Sequence, residues 1–192
     1  MSRAARLARF AAFVISAACA SASPQSTDGR LAEIRALYAG VQSRISQAVK
    51  DAPSGGASGI YSTDLIVNSH NGSWRAVGTY SRKTRYWFTD QPEFARREGR
   101  PESSVLVKVE ISETAAARTT RKELLFDQGQ LVFAFIRGGG DAAGADEQRF
   151  CFDKGRAFRY LEGSKPAAIP EDQAAALLRE ASSLRTSFLA TF

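Results

Sequence analysis

The segments LLFDQGQLVF (residues 124–133) and FCFDKGRAFR (residues 150–159) nearly repeat one another, and this constrains the fold more than any other feature. In each, an aromatic residue precedes Asp-x-Gly: Phe126-Asp127-Gln128-Gly129, then Phe152-Asp153-Lys154-Gly155. Asp suits a tight turn because its short side chain accepts from nearby backbone N–H groups. Glycine supplies positive φ at little cost. Apolar runs joined in this way form antiparallel hairpins. The spacing predicts a three-residue loop in each copy. That sets Leu124 opposite Val132, Leu125 opposite Leu131, Phe150 opposite Phe158, Cys151 opposite Ala157 and Arg149 opposite Arg159. Leu124, Val132, Phe150 and Phe158 would then share the core face. The other face carries Leu125, Leu131, Phe133 and Phe135 in the first hairpin, and Arg149, Cys151, Ala157 and Arg159 in the second. The first hairpin is therefore expected to be central, and the second nearer an edge with one wet face.

The same period of two runs through much of the remaining chain. IYSTDLIVNS (60–69), WRAVGTYS (74–81) and TRYWFT (84–89) read as strands rich in aromatic and β-branched residues, with Asn71-Gly72 as a turn between the first two. SVLVKVEIS (104–112) alternates, with Val105, Val107, Val109 and Ile111 on one face. The polar stretch 90–104, with Pro92, Gly99 and Pro101, reads as a long loop. Helical periods bracket the strands. Leu31, Ile34, Tyr38, Val41, Ile45 and Ala48 form an apolar stripe after a plausible cap at Asp28. Leu177, Ala181, Leu184 and Phe188 form another, opened by Pro170 with Glu171 and Asp172 in its first turn. The expectation is an α+β domain: an antiparallel meander of about six or seven strands flanked by N-terminal and C-terminal amphipathic helices.

The N-terminus has a different purpose. Arg3, Arg6 and Arg9 precede an uncharged, mostly apolar run (10–18) and small residues Ala18-Cys19-Ala20. This is the pattern of a cleaved signal peptide, too short to remain as a membrane span. The expected division is a signal over 1–20, a disordered polar leader over 21–27 and one domain over 28–192, periplasmic or secreted. Cleavage after Ala20 removes three of the 26 basic residues and none of the 20 acids, leaving +3. That charge offers no basic stripe for nucleic acid. Cys19 opens an alternative, a lipid anchor at a lipoprotein cysteine. Ser16, where such signals carry an aliphatic residue, favours ordinary cleavage. In either case Cys151 lacks a disulfide partner and reads as a small apolar strand residue.

These tandem Phe-Asp-x-Gly hairpins resemble the aromatic-Phe-Asp-x-Gly-Lys/Arg hairpins of uncharacterised exported bacterial proteins, in which a helix likewise precedes the sheet and another closes the chain. The resemblance implies an architecture and no catalytic residue.

Reactive groups are sparse. His70 is the only histidine, which excludes a Ser-His-Asp triad or a multi-histidine zinc site. GGGDAAGADE (138–147) lacks the Gly-Lys-Ser/Thr ending of a phosphate loop and the spacing of an EF-hand. Neither a catalytic set, a metal site nor a cofactor is expected. Arg149 and Arg159, placed opposite one another, would repel. An anionic ligand, assisted by Arg156, would relieve that repulsion. The competing explanation is pairing with Glu147, Asp153 or a carboxylate on a neighbouring strand. Trp74 and Trp87 are candidate ligand-contacting aromatics, with core packing as the alternative. These readings lean towards a non-enzymatic binding or interaction module of the cell envelope. Its partner would be an envelope protein or a small anionic ligand. The alternatives are a cell-wall hydrolase acting through carboxylates, or a lipoprotein subunit of an envelope assembly.

Overall fold

The computed structural model describes residues 24–52, 59–75, 78–116, 118–138 and 147–192. The expected signal, the first three residues of the expected leader and most of the glycine-rich segment after Arg137 lie outside these. The elements run α1 (Pro24–Asp51), β1 (Tyr61–Val67), β2 (Ser73–Trp74), β3 (Gly78–Phe88), α2 (Pro92–Arg97), β4 (Leu106–Ala115), β5 (Arg118–Asp127), β6 (Gln130–Arg137), β7 (Glu147–Asp153), β8 (Arg156–Glu162), β9 (Lys165–Pro166) and α3 (Glu171–Leu189). The α+β meander is as expected. Its order is β1-β3-β4-β5-β6-β7-β8-β9, every described pairing is antiparallel, and β2 adds to β3 beside β1. There are nine strands rather than six or seven because β2 and β9 are two-residue additions.

Besides the joining of the segments 74–81 and 84–89, read as two strands, into the single strand β3, three local readings change. Helix α1 starts at Pro24, so residues 24–27 are helical and Asp28 lies within the helix. The stretch 90–104 contains α2 and a 3₁₀ turn, Glu102–Val105. Pro92 stands at the start of α2, and the Arg97–Glu93 pair at 2.6 Å spans one turn. Ala95 and Val105 bury completely beneath these turns. The third change is the hairpin register. Asp127 pairs with Gln130 and Asp153 with Arg156, so each loop has two residues. Gln128 (φ 49°) with Gly129 (φ 77°), and Lys154 (φ 48°) with Gly155 (φ 76°), are both left-handed, as a type I′ turn requires. A bulge follows at the same place in both copies. Leu124 therefore faces Ala134, Leu125 faces Phe133, Phe150 faces Tyr160 and Cys151 faces Arg159, while Arg149 faces Leu161. The skipped residues are Val132 and Phe158, and both turn away from Leu124 and Phe150 to pack beneath α1.

The two helices cover opposite faces. On one, Ala174, Leu177, Ala181, Leu184 and Phe188 of α3 pack on Tyr86, Val109, Leu124, Ala134, Phe150 and Tyr160, which are consecutive cross-strand neighbours. On the other, Leu31, Ile34, Val41 and Ile45 of α1 pack on Trp87, Leu125, Val132 and Cys151. Arg30 of α1 lies 3.7 Å from Asp127 and 3.2 Å from Asp153. The repeated aspartates thus do more than turn the chain: together they hold one arginine of the N-terminal helix over both hairpins.

Candidate functional site

The face beneath α1 carries the buried lysine of the molecule and a row of charged side chains. Its central row reads Trp87, Lys108, Leu125, Phe133, Cys151, Arg159 across β3 to β8. The next row reads Asp64, Arg85, Glu110, Glu123, Phe135, Arg149, Leu161. Lys108 is 1% exposed, yet charged. Its ammonium lies 2.8 Å from Glu110 and 2.9 Å from Glu123. The Tyr38 hydroxyl donates to Glu123 at 2.8 Å and accepts from the Gln42 amide at 2.8 Å. Burial alone would lower the Lys108 pKa, but both carboxylates oppose it, and the net shift is upward. Burial would likewise raise Glu110; Lys108, the Trp87 indole and Arg85 overcome that and hold it below its ordinary value. Lys108 and its carboxylates escaped the sequence reading, which followed the valines of β4. The usable signal was Glu110, an acid two positions along the same face.

Further along α1 a cleft of 240 Å³ opens between the helix and β6–β8. Its walls are Leu31, Ile34, Arg35 and Tyr38 from α1, with Phe133, Arg149, Cys151 and Leu161 from the sheet. Six of these are apolar or aromatic, and two are arginines. The Arg149 guanidinium pairs with Glu147 at 2.6 Å, donates to the Gly163 carbonyl and lies 5.2 Å from the Phe135 ring centre. Arg35 is exposed, Arg159 is half-buried, and neither has an ion pair among the described residues. The Nε of Arg159 is buried without a hydrogen-bond partner. Burial pushes the Cys151 thiol up, while the Arg159 and Arg35 charges pull it down, with burial prevailing. Cys151 thus stays a packing thiol, as its place in the core suggested.

The candidate residues fall into three places. Arg149 and Arg159 share the α1 side of the sheet, on either side of Cys151, although they do not face one another. Arg156 is exposed at the turn, opposite Asp153. Trp87 is 5% exposed under α1, with the Arg85 guanidinium 5.5 Å from its ring. It points away from Tyr86 and Phe88, as alternation required. Trp74 is 46% exposed on the far edge, 5.0 Å from the Tyr80 ring. His70 is exposed in the β1–β2 turn, beside Ser69. No cluster of three metal-ligating side chains occurs among the described residues, and none of the described helices is long and apolar enough to cross a membrane. No protein-family model, curated protein or solved structure matches the chain.

Proposed function

We propose that this protein is an exported, non-catalytic binding module of the bacterial cell envelope, and that the cleft under α1 holds a small amphipathic anion. The observation carrying the reading is the cleft itself: apolar walls with Arg35 and Arg149 in them, and Arg159 adjoining through Cys151. An apolar body would lie against Leu31, Ile34, Phe133 and Leu161. The anionic head would accept from the guanidiniums, whose fork suits carboxylate and phosphate. At 240 Å³ the cleft falls below the ~300–1,000 Å³ of drug-sized ligand sites, which favours a short ligand. The leader composition and the tandem hairpins support export and the resemblance to exported bacterial proteins.

Calorimetric titration with decanoate, decyl phosphate, decanol and inorganic phosphate tests this. Saturable binding of the two amphipathic anions is expected, with at least about a tenfold loss in Arg35→Gln/Arg149→Gln, equivalent to about 1.4 kcal/mol. Equal binding of decanol, or an unaffected double variant, overturns the reading.

One observation favours a second reading, a hydrolase: Glu110 and Glu123 stand directly opposite one another and line a 300 Å³ groove. Glycoside hydrolysis needs one carboxyl raised to act as an acid. Glu110 is shifted the other way, and both carboxylates share the Lys108 ammonium. Release of reducing ends from cell-wall glycan, lost in Glu110→Gln, would revive it.

A further inference from the structure

Helix α1 roofs only part of its face. Beyond it one row of the sheet lies open: Ile66, Lys83, Ser112, Arg121, Arg137, Glu147, in continuous register from β1 to β7. Arg121 and Arg137 are direct cross-strand neighbours, and both are exposed. Like charges so placed repel. Neither has an ion pair or side-chain hydrogen bond among the described residues, where every nearby acid is committed elsewhere. Asp64 is taken by Lys83 at 2.9 Å and Arg85 at 2.7 Å. Glu110 and Glu123 are taken by Lys108. Glu147, next in the row, is taken by Arg149 at 2.6 Å. Among the described residues the neighbourhood holds the cations Lys83, Arg85, Lys108, Arg121, Arg137 and Arg149 against the carboxylates Asp64, Glu110, Glu123 and Glu147. The excess of two positive charges rests on the two unpaired arginines.

Geometry narrows what can neutralise them. Adjacent strands lie about 4.8 Å apart, so the two arginines are one strand spacing from each other and Lys83 is about 10 Å further along the same line. A phosphate presents several oxygens and accepts from two guanidiniums at once. Helix α1 stands about 10 Å above this face, its axis held off the sheet by packed side chains. The open row is thus the tread of a step. A planar bilayer resting on the helix does not reach it, whereas a narrow chain laid across β3–β6 does. We infer that the open half of the α1 face binds an extended phosphate-bearing polyanion, with Arg121 and Arg137 clasping one phosphate and Lys83 a neighbouring one. This site is separate from the cleft and independent of what the cleft holds.

The test is binding of short-chain inorganic polyphosphate to the purified protein, measured across a salt series, with Arg121→Gln/Arg137→Gln as the variant. Both side chains are exposed, so circular dichroism and melting should be unchanged. The expected result is at least about a tenfold loss of affinity, and a fall of about 2 in the slope of log K against log salt, one per cation removed. Arg35→Gln, which releases no carboxylate of the row, should weaken the cleft's anion binding and leave polyphosphate binding intact, which keeps this site distinguishable from the cleft. No polyphosphate binding, or full binding by the Arg121/Arg137 variant, overturns the inference. So does tighter arginine-dependent binding of polyglutamate, or of vesicles rich in anionic phospholipid.

Discussion

Two adjacent rows cross the same strands and face opposite ways. The row under α3 reads Tyr86, Val109, Leu124, Ala134, Phe150, Tyr160. The row under α1 reads Trp87, Lys108, Leu125, Phe133, Cys151, Arg159. The backbone is common to both, so their difference lies wholly in the side chains. The α3 face is mainly apolar along this row, with Arg82 and Lys122 meeting Glu180 of α3 beyond it at 3.4 and 2.8 Å. The α1 face gives up apolar area to a buried lysine, two carboxylates and arginines around a cleft. A domain held only by its core has no need of the second arrangement, since buried ion pairs are weak contributors to stability. On the proposed function, the α1 face is the one that carries recognition.

The largest effect expected from that division is on the α3 face. Phe150 is fully buried, 4.6 Å from the Tyr160 ring centre and 6.2 Å from that of Phe152. Phe150→Ala should cost about 3–5 kcal/mol in denaturant unfolding, the usual range for losing a core phenylalanine. A loss below about 1 kcal/mol would mean that this face is not the structural one.

A smaller effect is expected from Lys108→Met. It strands Glu110 and Glu123 opposite one another without their ammonium. Breaking a fully buried pair costs about 3–5 kcal/mol. These carboxylates are 35% and 27% exposed, so water shares the burden and about 2 kcal/mol is expected. The sharper version adds Glu110→Gln and Glu123→Gln to Lys108→Met. If the cluster is kept for recognition, the triple variant should regain most of the stability by chemical denaturation. A triple variant no more stable than Lys108→Met alone would show the cluster to be structural, and would erase the contrast between the faces.

The α3 face was largely legible in the sequence, because Leu177, Ala181, Leu184 and Phe188 announce a stripe and Phe150 and Leu124 sit beside unmistakable turns. The α1 face was not, for two physical reasons. A bulge slips the alternation by one residue, and nothing in LLFDQGQLVF marks it; Val132 and Phe158 consequently read as core partners of Leu124 and Phe150, and Arg149 as the partner of Arg159. Burial of charge is also a tertiary event. Lys108 looks like any lysine on the polar side of a strand until β5 brings Glu123 beside it. The arginine pair sought from cross-strand repulsion does exist, but at Arg121 and Arg137, where long-range register rather than local pattern places it. Arg30 was invisible for the same reason: only when α1 docks does it meet Asp127 and Asp153.

The smallest effect separates the faces by pH. The Asp64 carboxyl falls from its ordinary 3.8 to about 2, chiefly through its hydrogen bond to Arg85, then through Lys83, against a counteracting effect of burial. A folded-state pKa below the unfolded one means that the unfolded chain binds the proton first. Stability from this group is therefore complete above about pH 4 and is lost as pH falls towards 2. Its side chain is 28% exposed and its cationic partners more so, so screening reduces the contribution to about 1 kcal/mol. Asp64→Asn should remove that part of the acid dependence and leave the remainder unchanged in unfolding curves taken between pH 5 and 2. Added salt should shrink the wild-type loss towards that of the variant. Phe150→Ala, by contrast, should lower stability by a similar amount at every pH, because Phe150 packs among apolar and aromatic side chains. An Asp64→Asn protein that kept the full acid dependence would place the titrating stability elsewhere, and the charged face would lose its claim to it.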